Sequence, residues 1–152
     1  MFRVARQMVR GLFSFLFFMS FSIVGVAQSS EITIQAVNGK DGRPLVHQRL
    51  LIIGGETAKA ASFHRTSFDV TTDGNGVAKM KLNPTTTRWV EIFVDFLTLC
   101  YQKPNLTQFS VDKILSDGLS APNNCSSVVQ QAKPGQFIVF ARPATLREKM
   151  AW

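Results

Sequence analysis

The 152-residue chain carries two cysteines, two histidines and one tyrosine. Two Cys with distant His residues have no recognisable zinc-ligand spacing. No Ser stands in a nucleophile-elbow context. Lysine and arginine are scattered rather than clustered, which describes a solvated surface and argues against nucleic-acid binding. Acidic residues are few, 10 against 17 basic ones.

What is present begins with a leader. Met1 to Arg10 holds Arg3, Arg6 and Arg10 and no acid, and Leu12 to Val26 is apolar apart from Gly25 and three serines. Gly25-Val26-Ala27 then offers small residues where a signal peptidase reads. A basic start, an apolar run of about 15 residues and a small-x-small end fit a secretory signal peptide over 1–27. The run is shorter than the roughly 20 residues a spanning helix prefers; an uncleaved anchor is the alternative. No Cys follows the run, so a lipoprotein attachment site is missing. On this reading the chain meets the membrane only transiently, and its destination is periplasmic or extracellular.

Removing the leader leaves 14 basic and 10 acidic residues, a net charge of +4, on 125 residues. That length suits one domain with a real core. In an exported chain Cys100 and Cys125 read as one disulfide, with two unpaired thiols as the alternative. The loop of about 25 residues is worth roughly 3 kcal/mol on the chain-entropy account.

The clearest structural signal is Phe68 to Leu82. Phe68, Val70 and Thr72 alternate with polar residues, then Asp73-Gly74-Asn75-Gly76, then Ala78, Met80 and Leu82 alternate again. Two period-2 runs around that punctuation predict a β-hairpin with one buried face. Upstream, Ile32 to Val37 alternates as a first strand with Ile32, Ile34 and Ala36 on one face. Arg49 to Ile53 is apolar on both faces and reads as a central strand. Glu56 to Arg65 has a helix-like stretch without a good cap and is taken as an exposed loop.

Downstream, Arg88 to Phe96 predicts a strand with Val90, Ile92, Val94 and Phe96 on one side and Trp89, Glu91, Phe93 and Asp95 on the other. The second face is expected to be half-exposed, under the Cys100–Cys125 loop. Ser110 to Leu119 predicts one short helix, capped by Ser110, with Val111, Ile114 and Leu115 as its apolar stripe and Gly118 at the left-handed end. Phe137 to Ala141 is a final strand, stopped by Pro143. Thr145-x-x-Glu148 is a capping-box pattern, with Leu146 and Met150 one turn apart, so 143–152 is a tail or short helix. About seven strands with one short helix before the last strand make an all-β sandwich over 28–142.

At this point two turns resemble a family. Val37-Asn38-Gly39-Lys40-Asp41-Gly42-Arg43-Pro44-Leu45-Val46 resembles the opening of carboxypeptidase regulatory-like domains. Thr72-Asp73-Gly74-Asn75-Gly76-Val77-Ala78 resembles their second signature. The resemblance covers about residues 31–96 and implies a Greek-key, Ig/transthyretin-like sandwich without catalytic machinery, of the kind found in small exported bacterial proteins. The Cys100–Cys125 segment departs from the family pattern as an insertion. A related transthyretin-like group of hydrolases uses a C-terminal Tyr-Arg-Gly-Ser motif, which is missing here, the only Tyr being Tyr101.

Other candidates are weak. His47 and His64 are the available general bases or ligands, and read as two surface histidines. Asp73 to Gly76 lacks the alternating ligands and distal Glu of a calcium loop and reads as a structural turn. Glu91 and Asp95 lie about 13 Å apart at strand rise, too wide for a hydrolytic pair. Asn105-Leu106-Thr107 and Asn124-Cys125-Ser126 match the glycosylation sequon, which matters only in a eukaryotic host. Trp89, Phe93 and Trp152 are the best candidates for an interaction surface, since aromatics stack on sugars or anchor proteins; packing under the disulfide loop is the alternative for Trp89 and Phe93. The expected function is an exported, non-enzymatic module without cofactor or metal, binding an envelope protein or a cell-surface polymer. The alternative is a small secreted hydrolase or carbohydrate-binding protein.

Overall fold

The computed structural model describes residues 30–63, 66–101 and 108–145. Two sheets pack face to face, and among these residues the fold is all-β with two short helices. The first sheet runs β4(Val77–Leu82)–β1(Ser30–Asn38)–β9(Gln136–Pro143)–β6(Leu97–Leu99), with β8(Leu119–Ser120) also beside β9. The second runs β3(Thr66–Thr71)–β2(Arg49–Gly55)–β5(Trp89–Val94)–β7(Gln108–Ser110). β1 and β9 are parallel, in register from Thr33–Gln136 to Asn38–Ala141. Ile32, Ile34, Ala36, Phe137, Val139 and Ala141 from the first sheet meet Leu50, Ile52, Val90, Ile92 and Val94 from the second. These are the alternate positions that strand geometry sends to one side.

The predicted hairpin is an arch instead. β3 pairs with β2 in one sheet, and β4 pairs with β1 in the other. The Asp73–Gly76 turn therefore carries the chain from sheet to sheet. Period-2 alternation is the same for a hairpin and an arch; the backbone partners differ, and the first and second strands take them. Thr72 is 1% exposed. Its Oγ1 accepts from Gln48 N at 2.8 Å and donates to the Leu45 carbonyl at 2.7 Å. Asp73 Oδ1 accepts from the amides of Asn75 and Val77 at 2.8 and 2.9 Å. Those two bonds, Val77 first, hold the Asp73 carboxyl below its ordinary range. Gly76 takes φ +73°, with the Ala36 carbonyl and Pro44 where a Cβ would be.

Two further expectations fail locally. Glu56 to Arg65 is not simply a loop, because α1(Ala58–Phe63) forms there. Thr57 supplies the missing cap: its Oγ1 accepts from Ala60 N at 3.0 Å. The helix lies against β2 at Gly55, where a Cβ would sit 2.4 Å from Ala61 N, and Ala61 is fully buried. Phe96 does not share the buried face of Val90, Ile92 and Val94. The chain leaves the strand at Asp95, and Phe96 takes φ +57° and is 90% exposed.

The second helix, α2(Val111–Ser116), agrees with expectation. Ser110 Oγ accepts from Lys113 N, Val111 and Ile114 are buried, and Gly118 takes φ +75° after an Asp117 cap. Among the described residues the expected single helix is thus two, and the roughly seven strands are nine, because β6, β7 and β8 are only two or three residues long.

Cys100 and Cys125 form a disulfide with Cα atoms 5.3 Å apart. It straps the irregular stretch after β8 across the outer face of the first sheet. Val37, Cys100, Ile138 and Phe140 are buried beneath Cys125, Val128 and Ala132. Asn123 Nδ2 donates to the carbonyls of Gly39 and Val128, both at 2.9 Å. The strap does not cover Trp89 and Phe93, which belong to the other sheet.

Thr72→Val should lower stability by about 2–3 kcal/mol in urea denaturation, since Gln48 N and the Leu45 carbonyl lose their partner. Gly55→Ala should cost about 1–3 kcal/mol by forcing α1 off its strand. Gly74→Ala is the control: nothing lies within 4 Å of the new methyl, and a change below about 0.5 kcal/mol is expected.

Candidate functional site

The outer face of the second sheet carries Arg49, Leu51, Ile53 and Gly55 from β2 and Trp89, Glu91 and Phe93 from β5. Register sets Gly55 beside Trp89, Ile53 beside Glu91, and Leu51 beside Phe93. Helix α1 occupies the Gly55 end, and Trp89 is half-buried there. The other end is bare: Leu51 is 39% and Phe93 42% exposed. Just past it, the turn from β5 to β6 holds Phe96 out. A groove of about 730 Å³ runs from Leu51 and Phe93 past Phe96 to Leu97 and Leu99.

Phe96 is the unusual residue of this end. Positive φ is an outlier for a bulky side chain, and such strain persists only where neighbours enforce it. Here Asp95 N donates to the Arg49 carbonyl at 3.0 Å, and Gln48 Nε2 donates to the Asp95 carbonyl at 2.7 Å. Both backbone groups of Asp95 are thereby fixed against the start of β2. Leu97 must then enter the first sheet opposite Pro143, so the reversal falls on the one residue between.

The polar frame is an ion cluster. Arg49 Nε reaches both Asp69 oxygens at 2.9 Å, its Nη2 also binds Asp69, and Asp95 Oδ2 lies 4.0 Å from its Nη1. The hydrogen bond from Arg49 lowers the Asp69 pKa, and the same bond raises that of Arg49. All three groups are solvated, so the cluster orients side chains more than it stabilises the fold.

Of the sequence candidates, Trp89 and Phe93 share one strand face, but only Phe93 is on the bare half. Trp152 and His64 lie outside the described residues, as do 1–27, Asn105, Leu146, Glu148 and Met150. His47 is exposed at φ +52°, next to the Asp73 turn, to whose lowered pKa its charge adds the smallest part. Tyr101 is buried against Phe109, ring centroids 5.2 Å apart, and donates to the Ile92 carbonyl at 3.3 Å. Burial is the main reason its phenol pKa is raised. Among the described residues no group of three His, Cys, Asp or Glu is placed to hold a metal.

Leu51 and Phe96 were missed as surface residues. One signal existed. Apolar residues fall at 90, 92, 94 and 96, then at 97 and 99. That change of phase marks a break in the strand at Phe96.

Phe96→Gly should raise stability by about 0.5–1 kcal/mol, because glycine tolerates the left-handed conformation and little packing is lost. A lower denaturation midpoint would contradict this. No protein-family model matches the chain, and no curated protein matches it at a significant level.

Proposed function

We propose that this chain is an exported, non-enzymatic β-sandwich module that binds an envelope protein or cell-surface polymer through the bare half of its second sheet. The single observation that carries the reading is Phe96, a phenylalanine 90% exposed on a strained backbone. It stands beside Phe93 and Leu51, which are also exposed. Natural folds rarely keep strain and a bare aromatic together without use. Mixed charges from Arg49, Asp69 and Asp95 around an apolar centre have the anatomy of an interaction patch.

The disulfide supports an oxidising destination, in keeping with the leader-like residues 1–27. Among the described residues no helix is long and apolar enough to cross a membrane. The two turns that resemble carboxypeptidase regulatory-like domains sit at the same pole as Phe96. A Greek-key, transthyretin-like arrangement is the finer fold assignment we propose on that basis. Such domains act by contact, and the exposed groups described here are suited to contact.

The test compares the full chain with a Leu51→Ser, Phe93→Ser, Phe96→Ser triple variant, both tagged and exported in the native cell. The wild type should retain a stoichiometric envelope partner or sediment with cell-wall polymer. The variant should melt within a few degrees of it and bind at least about tenfold more weakly. Equal retention by both proteins would refute the reading.

A further inference from the structure

Among the described residues the two sheets end in five edge strands, and these are not alike. β8 is two residues long, and β6 and β7 are three each. β4 is six residues long but carries Lys79 and Lys81, with Lys79 3.6 Å from Glu31. Lysines on an edge are a common guard against further pairing. β3 is also six residues, Thr66-Ser67-Phe68-Asp69-Val70-Thr71, and has no Lys, Pro or Gly. Among the described residues it pairs with β2 on one side and with nothing on the other.

The backbone geometry of that edge follows from the neighbouring bonds. Thr72 N donates to the Gln48 carbonyl at 3.0 Å, and His47 N to the Thr72 carbonyl at 3.1 Å. Gln48 and Thr72 thus face each other. Alternation then turns the N–H and C=O of Val70, Phe68 and Thr66 toward β2 and those of Ser67, Asp69 and Thr71 away from it. Three donor–acceptor sets repeat along the edge, about 6.8 Å apart at strand rise. The spacing matches an extended polypeptide and no sugar or lipid. On the inward face, Phe68 and Val70 are only half-buried, so the core is incompletely covered at this side.

We propose that the β3 edge accepts an extended segment from a different polypeptide as an added strand. Alternate apolar side chains of that segment lie over Phe68 and Val70, and polar ones continue the outer face beside Asp69. A second copy of this chain fits less well. Symmetric antiparallel pairing that uses all three sets would place Ser67 against Thr71 and Asp69 against Asp69, and like charges directly opposite are destabilising. This site goes beyond the Phe93–Phe96 patch: the two share Asp69, but the patch presents side chains of β2 and of the β5 end while the edge presents the backbone of β3, so each can fail alone.

The experiment is amide hydrogen exchange by NMR on the isotope-labelled chain, with acetyl-Lys-Val-Thr-Val-Lys-Thr-amide as the probe. In dilute protein Ser67, Asp69 and Thr71 should exchange fast. At millimolar peptide they should slow by roughly tenfold or more, with Phe68 and Val70 amides already slow throughout. Thr71→Lys, which leaves the bonds to β2 intact, should abolish the slowing; Ser67→Lys serves if the first variant does not fold. No slowing would overturn the proposal. So would protection in dilute protein without peptide, meaning the chain covers its own edge. Protection that rises with protein concentration alone would overturn it in favour of a second copy.

Discussion

Three crossings between the sheets meet at one small polar node. The Leu45 segment leads from β1 to β2, Thr72 from β3 to β4, and Asp95 from β5 to β6. Thr72 Oγ1 bonds both Gln48 N and the Leu45 carbonyl, and the Gln48 side chain reaches the Asp95 carbonyl. A buried hydroxyl is costly unless satisfied. This one is used as donor and acceptor, so its burial becomes a positional constraint. If the node is set, the sheets are in register and Phe96 must turn outward. The same bonds that join the layers thus also hold the aromatic in its exposed position.

The outer faces are closed unequally. On the first sheet's, the disulfide strap covers Val37, Ile138 and Phe140 and is anchored through Asn123 to the Gly39 carbonyl. On the second, α1 protects the Gly55 end and stops there. Gly55 lets helix and strand backbones approach without a side chain between them. The rest of that face is left to Leu51 and Phe93, flanked by the Arg49–Asp69 pair. An apolar surface on one half of one sheet is the signature of a chain that covers itself selectively.

Strand positions were readable because alternation is a local property. Ile32, Ile34 and Ala36, or Val90, Ile92 and Val94, declare their face within six residues. Strand partners were not readable. The Asp73–Gly76 turn has residues that suit a hairpin, yet the partners of β3 and β4 are set by β2 and β1, distant in sequence. The disulfide and the α2 cap were legible from single residues of fixed chemistry, Cys100 with Cys125 and Ser110 with Gly118. The cap of α1 is hard to read because Thr57 follows the strand so closely. As for the candidate site, Phe93 was visible as an outward aromatic. Leu51 looked like core because β2 is apolar on both faces, and only the packing of α1 decides which part of its outer side is bare.

The parallel pairing of β1 with β9 has a mechanical consequence. The chain enters β1 at Ser30, at one pole, and leaves β9 at Pro143, at the other. Tension applied between those ends acts along the two strands in opposite senses. Six residue pairs, Thr33–Gln136 to Asn38–Ala141, then bear the load together in shear. They cannot open one at a time, as they would if both ends left from the same pole. A domain joined so, tethered through residues before Ser30 and pulled from beyond Pro143, resists stretching more than its modest size suggests. Phe96 lies at the Pro143 pole, away from any tether ahead of Ser30.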